Sequence, residues 1–119
     1  MARHLESKLQ QNCITWFDYQ HSDIKRLLFS VQNGGFRKAT EAKIMKGEGV
    51  RSGVADLILL IPKGLYSALC IEMKTSEGKQ SEYQKSWQEL AERHGNKYVI
   101  CRSFDQFRDE IQSYLSLKS

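Results

Sequence analysis

Three polar residues stand where an apolar strand should have none. Asp56 opens the most hydrophobic run of the chain, Asp56-Leu57-Ile58-Leu59-Leu60-Ile61, and Glu72 and Lys74 interrupt a second run after Ala68-Leu69-Cys70-Ile71. Side chains alternate along a strand with a period of two, so Glu72 and Lys74 share one face. If the two runs form a hairpin closed by a loop of odd length, such as Pro62-Lys63-Gly64, Asp56 falls opposite Cys70 or Glu72 and joins that face. Two carboxylates and one ammonium then converge. Burying carboxylates is costly unless they pair or bind a metal, so the face reads as a cation site. Magnesium suits it: the ion takes oxygen ligands at roughly 2.0–2.1 Å and accepts one or two protein carboxylates beside waters and a substrate phosphate. The Met73 backbone carbonyl, between Glu72 and Lys74, is a further candidate oxygen.

A metal held there would polarise a phosphodiester oxygen and lower the pKa of a bound water, while the Lys74 ammonium would hydrogen-bond the attacking hydroxide or a phosphoryl oxygen. The chemistry expected is magnesium-dependent hydrolysis of DNA, with manganese, which favours the same oxygen ligands, able to substitute. Zinc is not indicated, because His4, His21 and His94 are scattered and no Cys-x-x-Cys occurs. The plainer alternative is that Glu72 and Lys74 form a solvated ion pair worth roughly 0–1 kcal/mol and that Asp56 caps the loop before its strand.

The elements that must position these residues follow from periodicity and turn chemistry. Leu5, Leu9, Cys13 and Trp16 recur at helical spacing, predicting an amphipathic helix from about Arg3 to Tyr19 with that stripe inward. Leu27 to Val31 reads as a strand ending at Asn33-Gly34-Gly35, and Phe36 to Lys46 as a helix ending at Gly47. Gly49 to Gly53 is too glycine-rich for a regular element, and Asp56–Ile61 and Leu65–Thr75 are the hairpin strands, the first expected to be covered on both faces. Ser81-Glu82-Tyr83-Gln84 has capping-box form and opens a helix running to Gly95. A strand over Lys97–Arg102 follows. Ser103-Phe104-Asp105-Gln106 is a second capping box, opening a last helix with Phe107, Ile111 and Leu115 inward. The order is αβαββαβα, an α/β fold with a central sheet flanked by helices. Residues 1–119 are expected to form one domain, the size that a single modest core supports.

Composition narrows the class. With 40% apolar and 27% charged residues the chain should fold as an ordinary globular unit, and its formal charge of +4 favours a polyanionic partner without requiring one. Cys13, Cys70 and Cys101 are an odd count without paired spacing, which fits a reduced, cytoplasmic setting. No apolar stretch approaches a signal peptide or a membrane span, the longest being Leu57 to Ile61. Arg37, Lys38, Lys43, Lys46 and Arg51 cluster ahead of Asp56 and suit phosphate-backbone contacts without base reading, although such runs are more often ordinary charged surface. Trp16, Trp87 and Tyr98 read as core residues.

Gly49-Val50-Arg51-Ser52-Gly53-Val54-Ala55-Asp56, Ile71-Glu72-Met73-Lys74 and Gln84, together with Glu6, Gln10, Trp16-Phe17 and Asn33-Gly34-Gly35, resemble the VRR-NUC family of PD-(D/E)XK nucleases. The resemblance implies a restriction-endonuclease-like fold in which Asp56 and Glu72 ligate the metal, Lys74 acts on the nucleophile and Gln84 supports the site. It also implies that Glu6 approaches the metal directly or through water. Gln84 has a competing structural explanation, since position N3 of the capping box already employs it. Ala55 departs from the proline for which the superfamily is named, a position that shapes backbone and contributes no ligand. Similar standalone proteins are small, viral or bacterial and often homodimeric, and act on branched DNA such as four-way (Holliday) junctions. The resemblance therefore implies a DNA-repair or junction-processing role in the cytoplasm, that of the host cell if the protein is viral. Cutting a junction symmetrically would require a two-fold dimer. The rivals are a non-catalytic nucleic-acid-binding module that keeps the fold, and a metal enzyme of small phosphates, which the lack of a phosphate-binding glycine loop before a helix disfavours.

Overall fold

The computed structural model describes residues 2–32 and 38–118, with side chains from residue 4. Helix α1 (Ala2–Gln20) leads through a short 3-10 turn into strand β1 (Leu28–Ser30), followed by helix α2 (Ala39–Gly47), strands β2 (Leu57–Leu59) and β3 (Leu69–Met73), helix α3 (Glu82–Arg93), strand β4 (Lys97–Cys101) and helix α4 (Phe104–Leu115). The element order is the αβαββαβα expected. The predicted Asn33-Gly34-Gly35 turn, the start of the predicted second helix and Arg37 lie outside the described residues.

The strands form one sheet in the order β1-β2-β3-β4, the first two pairings antiparallel and the last parallel. The alternation of β2 and β3 divides the core. Leu57, Leu59, Leu69, Ile71 and Met73 face α1 and α4 and pack with Cys13, Phe17, Phe107, Ile111 and Tyr114. Cys70, Tyr98 and Ala55 pack on the opposite face with Ile58, Ile100 and Trp87 of α3. Tyr98 is thus a core residue, as expected, and Trp87 packs half-buried against it. Burial pushes the thiols of Cys13 and Cys101 up to about 12 and that of Cys70 up to about 11, so none serves as a thiolate.

Three expectations need correction. In α1 the inward stripe begins at Leu9, because Leu5 is 61% exposed, and its deepest members are Cys13 and Phe17. The strand fully buried on both faces is β3; β2 is fully buried on the side of Leu57 and Leu59 but only half-buried at Ile58 on the other, and Leu60 is 56% exposed beyond its end. In the second cap, Ser103 accepts from the Gln106 N–H, but the Gln106 side chain accepts from the Arg102 N–H, one residue upstream of the expected donor.

The hairpin also closes differently. Its tip is the turn Gly64-Leu65, with Lys63 and Tyr66 exchanging backbone hydrogen bonds and Gly64 at φ 57°. Leu60-Ile61-Pro62 separates that bridge from β2, whereas only Ser67-Ala68 separates it from β3. The additional residue on the first side shifts the register, so that Leu57 pairs with Ile71 and Ile58 with Cys70. Continued by one pair, this places Asp56 opposite Glu72. The expected parity holds, but an irregular segment sets it and the turn does not.

Candidate active site

Glu72 is the one charged residue in the interior of β3, 2% exposed on the face covered by α3. It survives there because every side of its carboxylate is met. The Gln84 amide donates to one oxygen at 2.9 Å, the Tyr98 hydroxyl donates to the other at 3.3 Å, and the Lys74 ammonium stands 3.8 Å away. Asp56, just before β2, accepts the Met73 N–H at 2.7 Å and lies close enough to Glu72 for its charge to act on the Glu72 carboxyl. Within a strand the N–H and C=O of a residue point to the same side, so the Met73 carbonyl also faces Asp56.

Electrostatically this cluster sets two carboxyl groups against one ammonium. Burial, then the Asp56 carboxylate, push the Glu72 carboxyl up to about 8, against the lowering effects of Lys74 and Tyr98. Two carboxylates share a single ammonium, and a divalent cation would supply the missing charge. The donor set fits a hard ion: two carboxylates and a backbone carbonyl, with no sulfur or imidazole. Among the described residues no group of three or more His, Cys, Asp or Glu side chains forms. Glu6 therefore does not join Asp56 and Glu72 in one acidic cluster; it is half-buried on α1.

Gln84 holds both of the positions that the sequence left in competition. Its side-chain oxygen accepts from the Ser81 N–H at 2.9 Å and its backbone N–H donates to the Ser81 hydroxyl, completing the capping box, while its amide nitrogen is free to bind Glu72. The amide has separate donor and acceptor ends, so the two roles are compatible. Behind it, Gln80 donates to Gln88 at 2.9 Å and to the Tyr98 hydroxyl at 3.3 Å. Sequence reasoning missed the part of Tyr98 in the site, although a tyrosine in a buried strand needs a partner for its hydroxyl and that requirement was a usable signal.

The glycine-rich loop aligns the two halves of the site. Gly53 has φ 77°, and a Cβ there would lie 2.4 Å from the Tyr83 carbonyl oxygen and 2.9 Å from the Gln84 nitrogen. The loop that delivers Asp56 thus rests directly on the first turn of α3. Gly53→Ala is expected to destabilise the fold by more than about 1 kcal/mol, since strain at positive φ and a backbone clash both act. Urea unfolding measures this, and a midpoint unchanged from wild type would contradict it.

Of the basic cluster, Lys38, Lys43, Lys46 and Arg51 are exposed, and α2 buries none of its residues. No helix among the described residues is long and apolar enough to cross a membrane.

A mixed four-stranded sheet between helices, with an Asp…Glu-x-Lys face at the end of its hairpin, defines a restriction-endonuclease-like α/β domain. The chain belongs to the VRR-NUC domain family, whose model matches residues 1–105. A solved structure described as a VRR_NUC domain protein is similar to it, with a TM-score of 0.84 and 25% identity over 96% of this chain and 90% of that one. No curated protein matches.

Proposed function

We propose that this nuclease-fold domain is a metal-dependent endonuclease that hydrolyses DNA phosphodiester bonds, selecting branched substrates such as four-way junctions by backbone shape. The observation that carries the reading is the meeting of Asp56 with Glu72 at the Met73 edge, with the Lys74 ammonium 3.8 Å from Glu72.

Asp56, Glu72 and the Met73 carbonyl would hold magnesium, or manganese in its place. When bound, the ion supplies positive charge to the scissile phosphate and acidifies water. Lys74 directs its ammonium at the same point, where it hydrogen-bonds a phosphoryl oxygen and offsets charge that develops as water attacks phosphorus. Gln84 and Tyr98 fix the Glu72 carboxylate from two directions, so that it need not reorganise during the reaction. Lys38, Lys43, Lys46 and Arg51 supply contacts to the phosphate backbone that carry no base sequence. One domain presents one such site, and a homodimer would place two of them on the opposed strands of a junction.

The test is a panel of four-way junction, flap, single-stranded and linear duplex DNA, incubated with magnesium, with manganese and then with chelator. Metal-dependent cutting, fastest on the junction, is expected. Binding to every substrate without cutting in either metal would replace the nuclease with a non-catalytic DNA-binding module. Sedimentation of the protein alone and on a junction reports the dimer, and symmetric cutting by a monomer would reject it.

A further inference from the structure

Among the described residues the Lys74 ammonium has one polar partner, Glu72, at 3.8 Å, and the Lys74 side chain is 12% exposed. A long ammonium side chain at that distance is held by what surrounds its stem. The stem is closed over by the turn that follows it: a Cβ placed on Gly78 would lie 3.2 Å from Lys74 Cδ and 3.5 Å from Lys74 Cβ. The turn has one internal bond, from the Gly78 N–H to the Thr75 carbonyl. From outside it is gripped by Arg102, whose Nη1 donates to the Thr75 carbonyl at 2.9 Å and to the Gly78 carbonyl at 2.5 Å. Arg102 is itself fixed by α4, because its N–H donates to the Gln106 side chain at 2.6 Å and Gln106 is locked by the Ser103 cap. The backbone beside it completes the link: the Lys74 N–H donates to the Cys101 carbonyl at 3.0 Å.

We propose that Arg102 is a positioning residue for Lys74: its guanidinium clamps the Thr75–Gly78 turn so that Gly78 presses the Lys74 stem into place beside Glu72. The catalytic meaning of this clamp rests on the nuclease reading above; the clamp itself does not. Arginine suits the task because one planar group offers several donors in fixed directions, whereas a lysine offers a single rotating ammonium. Gly78 suits it because a Cβ there would crowd the Lys74 stem, at 3.2 Å from Cδ.

Two variants perturb the clamp from its two ends. Arg102→Lys keeps the charge and loosens the grip on the turn. Gly78→Ala leaves Arg102 untouched and pushes on the Lys74 stem, at a backbone angle that alanine tolerates because Gly78 is not among the positive-φ glycines. Acetic anhydride labelling of the folded protein, read by mass spectrometry lysine by lysine, reports the position of Lys74 whether or not the protein cuts DNA. In both variants the labelling rate of Lys74 is expected to rise about 5-fold or more, with the rates at Lys43 and Lys85 unchanged, because a side chain freed from its packing gains solvent. On a substrate that wild type cuts, kcat is expected to fall about 10- to 100-fold with KM within about 2-fold, the signature of a misplaced group that binding does not use. Free guanidinium added to Arg102→Ala should recover part of the rate and of the Lys74 protection. Wild-type labelling of Lys74 in both Arg102→Lys and Gly78→Ala would overturn the proposal. Failure of wild type to cut any DNA would defeat the nuclease reading and leave the labelling result to decide the clamp.

Discussion

Asp56→Asn is expected to abolish cleavage, by at least about 10²–10³-fold, while leaving the fold and DNA binding close to wild type. The loss follows from charge. Asparagine offers a divalent ion a neutral amide oxygen in place of a carboxylate, and the two-carboxylate donor set is reduced to Glu72. The retained stability follows from the other duty of Asp56, which is to accept the Met73 N–H at 2.7 Å. An asparagine oxygen can still accept that bond. Asp56→Ala removes it, leaves the N–H of the buried Met73 without its acceptor, and should cost roughly 1–3 kcal/mol in addition to the activity. The pair of substitutions therefore separates metal binding from hairpin stability. Lys74→Ala should resemble Asp56→Asn in activity for a different reason: it removes the one ammonium beside Glu72 and lets burial and Asp56 drive the Glu72 carboxyl still further up. Cleavage assays beside thermal melts check all three. Metal-dependent cutting by Asp56→Asn at the wild-type rate would show that Asp56 holds no ion.

How much of the site is legible in the sequence depends on how far apart the interacting residues lie. Glu72 and Lys74 are two apart on a strand, and Ser81 and Gln84 three apart at a helix start, so period and capping rules read them directly. Asp56 and Glu72 are brought together by a hairpin whose register depends on an irregular stretch at Leu60-Ile61-Pro62. The sequence supplied the right parity through the wrong turn. The Tyr98 hydroxyl reaches Glu72 across the parallel β3-β4 pairing, and Arg102 reaches Thr75 and Gly78 from beyond it. Those contacts depend on which strand β4 joins, and a crossover through α3 gives no local signal of that choice. For Glu6 only the helix was legible: α1 packs on the sheet face opposite Glu72, among Leu57, Leu59 and Met73, a placement that helical spacing alone cannot assign.

The pH dependence of stability should test the proposed cation site. With its carboxyl raised to about 8 in the fold, against an ordinary value of 4.5, Glu72 holds a proton in the folded chain that the unfolded chain has released. The stabilisation from that proton is complete below pH 4.5. As pH climbs from there towards 8 the metal-free protein should lose stability, by at most about 1.4 kcal/mol per pH unit from this group, and the loss should level off above 8. Magnesium at the proposed site would ligate the carboxylate and not the acid, so its binding would expel that proton and be weak on the acid side of the window. The stabilisation it confers, which grows with the ratio of free ion to Kd, should therefore be small at pH 6 and largest near pH 8 and above. Glu72→Gln supplies the control. A neutral amide of the same shape imitates the protonated acid at every pH, so this variant should lose the Glu72 part of the slope and exceed wild type in stability near pH 8 without metal. It should gain nothing from magnesium at this site and should not cut. Melting temperatures of both proteins from pH 5 to 9, with and without magnesium, measure the difference curve. Parallel curves for the two proteins, with equal responses to the ion, would place the divalent cation elsewhere and remove Glu72 from the chemistry.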